Sequence, residues 1–241
     1  MEFVTLIHTR WPKDEFIYDH GAQGEIHDDV DDLSAEDRAR LYRTARQPLT
    51  MPANRKRFSG MWGTMMMVIG GPIHCAQFDQ PVPADMLCGG RQVEFTINSR
   101  RVFVATFGDV ASTKLFTTVE RYRTDDGRVD QWDIGFVRLM RRDKPYGLRV
   151  ERNNKAVKDL RAGHDGICLR VLGGSSLQQQ AILIHEAPNV GWVTGCIGPR
   201  PHGNREVFRN EDGNPSDLAV REIIREVDRR GGKGQLYVLR G

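Results

Sequence analysis

The chain has few cysteines, and none of them lie close together. Cys75, Cys88, Cys168 and Cys196 form no CxxC pair. A chain of 241 residues does not depend on disulfide staples, so reduced, mostly buried thiols are the expectation. Long apolar runs are missing too. The longest, Met61–Ile73 (MWGTMMMVIGGPI), is broken by glycine and proline. It falls short of the ~18 residues a membrane span requires, so no membrane insertion is expected. The opening MEFVTLIHTRWPKDE has neither a basic leader nor a long apolar segment. No Sec-type signal is therefore read there. No repeat period or low-complexity tract stands out. Charge of one sign is not in excess either. The net charge is +3 with 28% charged residues, and the basic clusters Asn54–Arg57 and Arg138–Lys144 are short. No nucleic acid is expected as a partner.

What is present is apolar content of 39%, enough for one sizeable core. A single domain over 1–241 is expected, mainly β (α+β). EFVTLIHT reads as a strand. Alternating Val93, Phe95 and Ile97, then Val102 and Val104, predict two strands over Gln92–Gly108. Further strands are expected near Trp132–Leu139, over Gly166–Gly174 and over Gln180–Ala187. Ser34–Gln47 predicts a surface helix, with Ser34 and Asp37 as a capping box. Near the end, Val220, Ile223, Ile224 and Val227 give one apolar helical face over Pro215–Gly232, with Ser216 as its cap. Gln235–Leu239 closes the chain as a strand. Residues 1–58 are read as an N-terminal appendage, and 90–241 as the β-rich catalytic core.

The segment AILIHEAPNVGWVTGCIGPRP (Ala181–Pro201) carries the chemistry. It sets His185 and Cys196 eleven residues apart, the length of a strand, loop and return strand. A cysteine nucleophile reacts as thiolate and needs a base within hydrogen-bond reach. It also needs N–H donors facing the oxyanion. His185 stands at a strand end, and the amides of Gly195 and Cys196 are the expected oxyanion donors, with Thr194 in support. Gly195 also lets a substrate backbone approach closely. Asn189 and Trp192 lie in the connecting loop as substrate-binding candidates, and such loops often carry function.

This segment resembles the active-site signature of L,D-transpeptidases, with IHEAP and TGCI in the matching places. It is similar also to small phage- and secretion-associated relatives with the pattern I-H-x-G-N, a short loop, then T-x-G-C-I. The likeness covers about Ile167 to the C-terminus, including the serine-led helix and the last strand. Thr194 stands where the family has histidine, the connecting loop is shorter, and Gly198 replaces an arginine or asparagine. Arg200 is the expected substitute for binding a substrate carboxylate, and His202 is a second candidate base. The resemblance implies that Cys196 forms a thioacyl intermediate with His185 as base, on peptidoglycan stem peptides, passing the acyl group to water, a D-amino acid or another stem. Together with the absent leader it implies an antibacterial effector of a type VI-like apparatus, or a phage lysis protein. Such a protein acts in a periplasm after delivery by another route. An immunity protein and a secretion or phage component are the expected partners, and no cofactor is expected.

Two other classes compete. A zinc hydrolase would use His185, Cys196 and His202 as ligands, although their spacing matches no zinc pattern. His74 with Cys75 and Cys88, and the acidic stretch Asp19–Asp32 with His20 and His27, are weaker metal candidates; no metal is adopted. The remaining class is a non-catalytic structural or cell-wall-binding module, for which the patch Met61–Met67 beside Trp62 would be an interface rather than core.

Overall fold

Apolar residues that recur at every second position along several strands give one sheet two usable faces. In the computed structural model, residues 2–20, 25–27, 56–71, 74–97, 100–108, 110–121, 145–158, 163–173, 182–188, 190, 193, 196–205 and 215–240 are described. The first half contributes β1 (Phe3–His20), β2 (Glu25–His27), β3 (Lys56–Gly70), β4 (His74–Phe78), β5 (Gln92–Ile97), β6 (Arg100–Phe107) and β7 (Val110–Arg121). The second half contributes β8 (Tyr146–Glu151), the short helix α1 (Lys155–Lys158), β9 (Cys168–Leu172), β10 (Leu183–Ile184), β11 (Gly198–Pro201), α2 (Pro215–Asp228) and β12 (Lys233–Arg240).

The large sheet runs β10-β9-β8-β12-β1-β3-β7-β11, with β2 attached to β1. Its two ends meet through a parallel bridge between Ile184 and Ile197. The eight strands of that path therefore close into a ring. Val4, Leu6, Met65, Met67, Phe116, Leu148, Leu169, Val171, Ile184, Ile197, Leu236 and Val238 line its inner face. α2 lays Ala219, Val220, Ile223, Ile224 and Val227 against the same cluster, the face its i, i+3, i+4 spacing predicts. On the outer face of β1, β3 and β12, the residues Ile7, Met66, Val68 and Tyr237 pack against Val104 of the separate sheet β4-β6-β5. Elsewhere on the outside, Trp62, Val119, Cys168, Leu183, Val190, Val193 and Cys196 form a third cluster.

Several expectations change on contact with this architecture. β1 sits between β12 and β3 in the ring. Residues 3–10 and 60–70 are thus part of the core, and neither an appendage over 1–58 nor a core that begins at 90 describes it. Met61, Met65, Met66 and Met67 are buried, so the methionine patch is packing and not a surface. Both faces of β3 are covered, which turns the expected alternation into a continuous apolar run. Within the described part of the strand expected over Gln180–Ala187, residues 182–187, the strand is Leu183–Ile184, and the amide of Val171 reaches the carbonyl of Ile182. The helix expected over Ser34–Gln47 and the strand near Trp132–Leu139 lie outside the described residues.

Candidate active site

The candidate site is the seam of the ring. Around the Ile184–Ile197 bridge, the amide of His185 donates to the carbonyl of Ile197 (3.1 Å), and the amide of Ile197 donates to the carbonyl of Leu183 (2.9 Å). Ile184 and Ile197 point into the inner core. Their neighbours Leu183 and Cys196 belong to the outer cluster. His185 follows directly, just past the end of β10, and is buried. The bridge therefore brings the two segments singled out in the sequence side by side, with His185 just past the end of β10 and Cys196 two residues before β11.

His185 Nδ1 lies 2.6 Å from the carbonyl oxygen of Glu186. A carbonyl only accepts, so Nδ1 carries the hydrogen and the lone pair is left on Nε2. Burial pulls the imidazole down to about 4, more than the adjoining Glu186 groups lift it. At neutral pH the ring is an uncharged acceptor. Cys196 keeps 9% of its surface exposed. Its amide leans on the carbonyl of Val193 at 3.4 Å, a long bond. Cys168 shares the outer cluster and is fully buried. Burial first, then Glu151 and Cys196, push its thiol up to about 12. A thiol held there is inert at neutral pH.

Gly198 explains one departure from the transpeptidase pattern. A Cβ placed there would lie 2.3 Å from Cβ of Ala187 and 3.0 Å from Cγ1 of Val119. The strand β11 passes too close to the segment after His185 for any side chain.

The other expected residues fare differently. Arg200 is fully buried. Its Nη2 donates to the carbonyl of Ala187 at 2.8 Å and also to that of Pro188, and its guanidinium stacks 5.6 Å from the ring centre of Trp62. It is therefore a clamp on the segment after His185 and not a surface receptor for a substrate carboxylate. His202 stands exposed in the turn after β11. Asn189, Trp192, Thr194 and Gly195 lie outside the described residues. The cation ligand set His185, Cys196 and His202 is not assembled. Among the described residues, the ligating side chains that gather within 4.8 Å are His164, Glu186 and Asp217.

That second group went unread in the sequence. His164 and Glu186 are buried, and Nε2 of one lies 2.9 Å from Oε2 of the other. The amide of Gly166 donates to His164 Nδ1 at 2.8 Å, which leaves the hydrogen on Nε2, aimed at the carboxylate. A cation on Nε2 would require the hydrogen on Nδ1, facing that amide. The pair is therefore built as a hydrogen bond and not as a metal centre. Ser216, the expected helix cap, has a different place. Its Oγ accepts from the amide of Ala187 (2.9 Å) and donates to the carbonyl of Pro199 (2.6 Å), so it ties the two sides of the seam together. The signal for Glu186 was available: a carboxylate directly after an apolar strand has to find a partner when buried.

No protein-family model, no curated protein and no solved structure matches this chain. The fold and site thus define the class only as far as a mostly β ring with a buried Cys–His seam.

Proposed function

We propose that the protein is a cysteine acyl-transferase of the L,D-transpeptidase kind, acting on peptidoglycan stem peptides. The observation that carries this reading is the bridge between Ile184 and Ile197. It joins the segment that carries His185 to the one that carries Cys196, and the Glu186 carbonyl keeps the His185 hydrogen on Nδ1, which leaves Nε2 as an acceptor. The chemistry follows from those atoms. Nε2 takes the Cys196 thiol proton as sulfur attacks the carbonyl carbon of the diaminopimelate residue. The carbon–nitrogen bond to the terminal D-alanine then breaks, and the departing amine takes the proton back from Nε2. Water, a D-amino acid or a second stem attacks the thioester and releases the thiol. An imidazole held near 4 is itself uncharged in the resting site. Proton transfer then accompanies attack and does not precede it.

The test is mass analysis of muropeptides bearing tetra- and pentapeptide stems, with and without added D-amino acid, beside Cys196→Ala. Loss of terminal D-alanine, exchange or a new dimer, seen only with intact Cys196, is the expected result. No change in any mixture refutes the reading and favours a wall-binding module, which the slight exposure of Cys196 would suit. Action in a periplasm, opposed by an immunity protein, belongs to the same proposal. It requires that periplasm-directed wild type be more toxic than Cys196→Ala.

A further inference from the structure

The segment His185–Glu186–Ala187–Pro188 is held from three directions. Ser216 holds the amide of Ala187. Arg200 holds the carbonyls of Ala187 and Pro188. His164 holds the carboxylate of Glu186 at 2.9 Å. The carbonyl of Glu186 is the one in this segment with a chemical role, since it accepts from His185 Nδ1 at 2.6 Å. Glu186 thus faces both ways, with its side chain turned to His164 and its main chain turned to the imidazole.

His164 is itself oriented. Gly166 adopts φ +71°, and a Cβ there would lie 2.7 Å from the amide nitrogen of Asn154. Its carbonyl accepts from that same amide at 2.9 Å, and its own amide is aimed at His164 Nδ1. The order is therefore Asn154, Gly166, His164, Glu186, His185. Asp165 stands 3.4 Å from His164 Nδ1, and Asp217 of α2 lies within 4.8 Å of the pair. Arg221 bonds to both of these carboxylates.

We infer that His164 and Glu186 are positioning residues for the thiol site: their hydrogen bond fixes the Glu186 carbonyl that selects the His185 tautomer. This rests on the acyl-transfer reading only for its effect on rate. The tautomer itself is set whether or not the protein turns over a stem peptide. Removing the pair leaves the Glu186–Ala187 peptide held through the Ala187 amide and no longer through the Glu186 side chain, and His185 then divides between its two neutral forms. A misplaced base of this kind lowers rate by about a hundredfold.

The experiment uses the full-length protein labelled with ¹⁵N at histidine, read by imidazole NMR at neutral pH. Wild type is expected to show His185 with hydrogen on Nδ1 only, assigned by comparison with His185→Gln. Glu186→Ala is expected to show a mixture. Glu186→Gln, whose amide oxygen still accepts from His164, is expected to keep the wild-type pattern. Should Glu186→Ala fail to fold, the double variant His164→Phe/Glu186→Leu removes both partners together, and the Gly166 amide is then the donor that loses its acceptor. The pH profile of Cys196 alkylation is the second readout, expected to shift in Glu186→Ala and not in Glu186→Gln. An unchanged Nδ1–H signature in Glu186→Ala, or in the double variant where that replaces it, overturns the inference. So does a signature lost in Glu186→Gln. A correct tautomer pattern with no muropeptide turnover refutes the proposed function and leaves this inference standing.

Discussion

His185 ties the acid stability of the fold to one buried ring. Its ordinary value is 6.5, and burial brings it to about 4 in the folded chain. Between those values the unfolded chain binds a proton that the folded chain refuses, so stability rises with pH across this window. The contribution is complete above 6.5, is lost as pH falls towards 4, and is level below that. At 1.36 kcal/mol per unit, the whole shift is worth roughly 3 kcal/mol. From pH 7 to pH 5 the loss is about 2 kcal/mol, or about thirtyfold in the unfolding equilibrium. The perturbation is His185→Gln, which is neutral at every pH and retains hydrogen-bonding atoms. Urea unfolding at pH 7, 6 and 5 measures both proteins. Contributions from the other titrating groups cancel in the comparison. The stability of the variant should fall by about 2 kcal/mol less than that of wild type between pH 7 and pH 5. Parallel curves would refute the reasoning, because they would mean that the ring accepts a proton in the folded chain as readily as in water.

Other outcomes follow from the same structure. Timed alkylation near neutral pH with peptide mass analysis should label exposed Cys88 and seam Cys196 well before Cys75 and Cys168, since burial holds both of the latter near 12; equal rates would remove the distinction. Gly198→Ala forces a methyl group against Ala187 and should lower stability by ~1–3 kcal/mol in urea unfolding. Glu120→Ala strips the carboxylate that lies 2.8 Å from His8 Nε2 inside the ring. It should cost ~3 kcal/mol or more, whereas replacing both partners by apolar residues should cost much less, as a double-mutant cycle would show.

The sequence disclosed some of this arrangement and hid the rest for identifiable reasons. β5 and β6 were legible because Val93 and Phe95, then Val102 and Val104, recur at every second position of the sequence. α2 was legible because Val220, Ile223, Ile224 and Val227 fall on one face. β3 was obscured: Gly60, Gly63 and Gly70 read as punctuation, and the methionines carry no strand preference. Its identity as a strand is imposed by the partners β1 and β7 on either side. Cys196 and His185 could be named chiefly from the likeness of their segment to a family signature and only secondarily from their spacing, whereas the bridge that joins their two segments is announced by no local pattern. Arg200 was misread for a related reason. Buried guanidinium and exposed guanidinium look alike in a sequence, and only the carbonyls of Ala187 and Pro188 decide between them.

The seam also has a consequence for the order of events in folding. β1 pairs with β12, so the first and last strands of the chain must find each other across nearly its full length. β10 has two residues and meets β11 through one bridge. The joint that closes the circle is therefore its shortest, and local opening is easiest where pairing is scantest. His185 and Cys196 flank that joint, so opening it parts the two segments that carry them. Amide exchange at His185 and Ile197, whose N–H groups make the two hydrogen bonds of the joint, would report how often it opens.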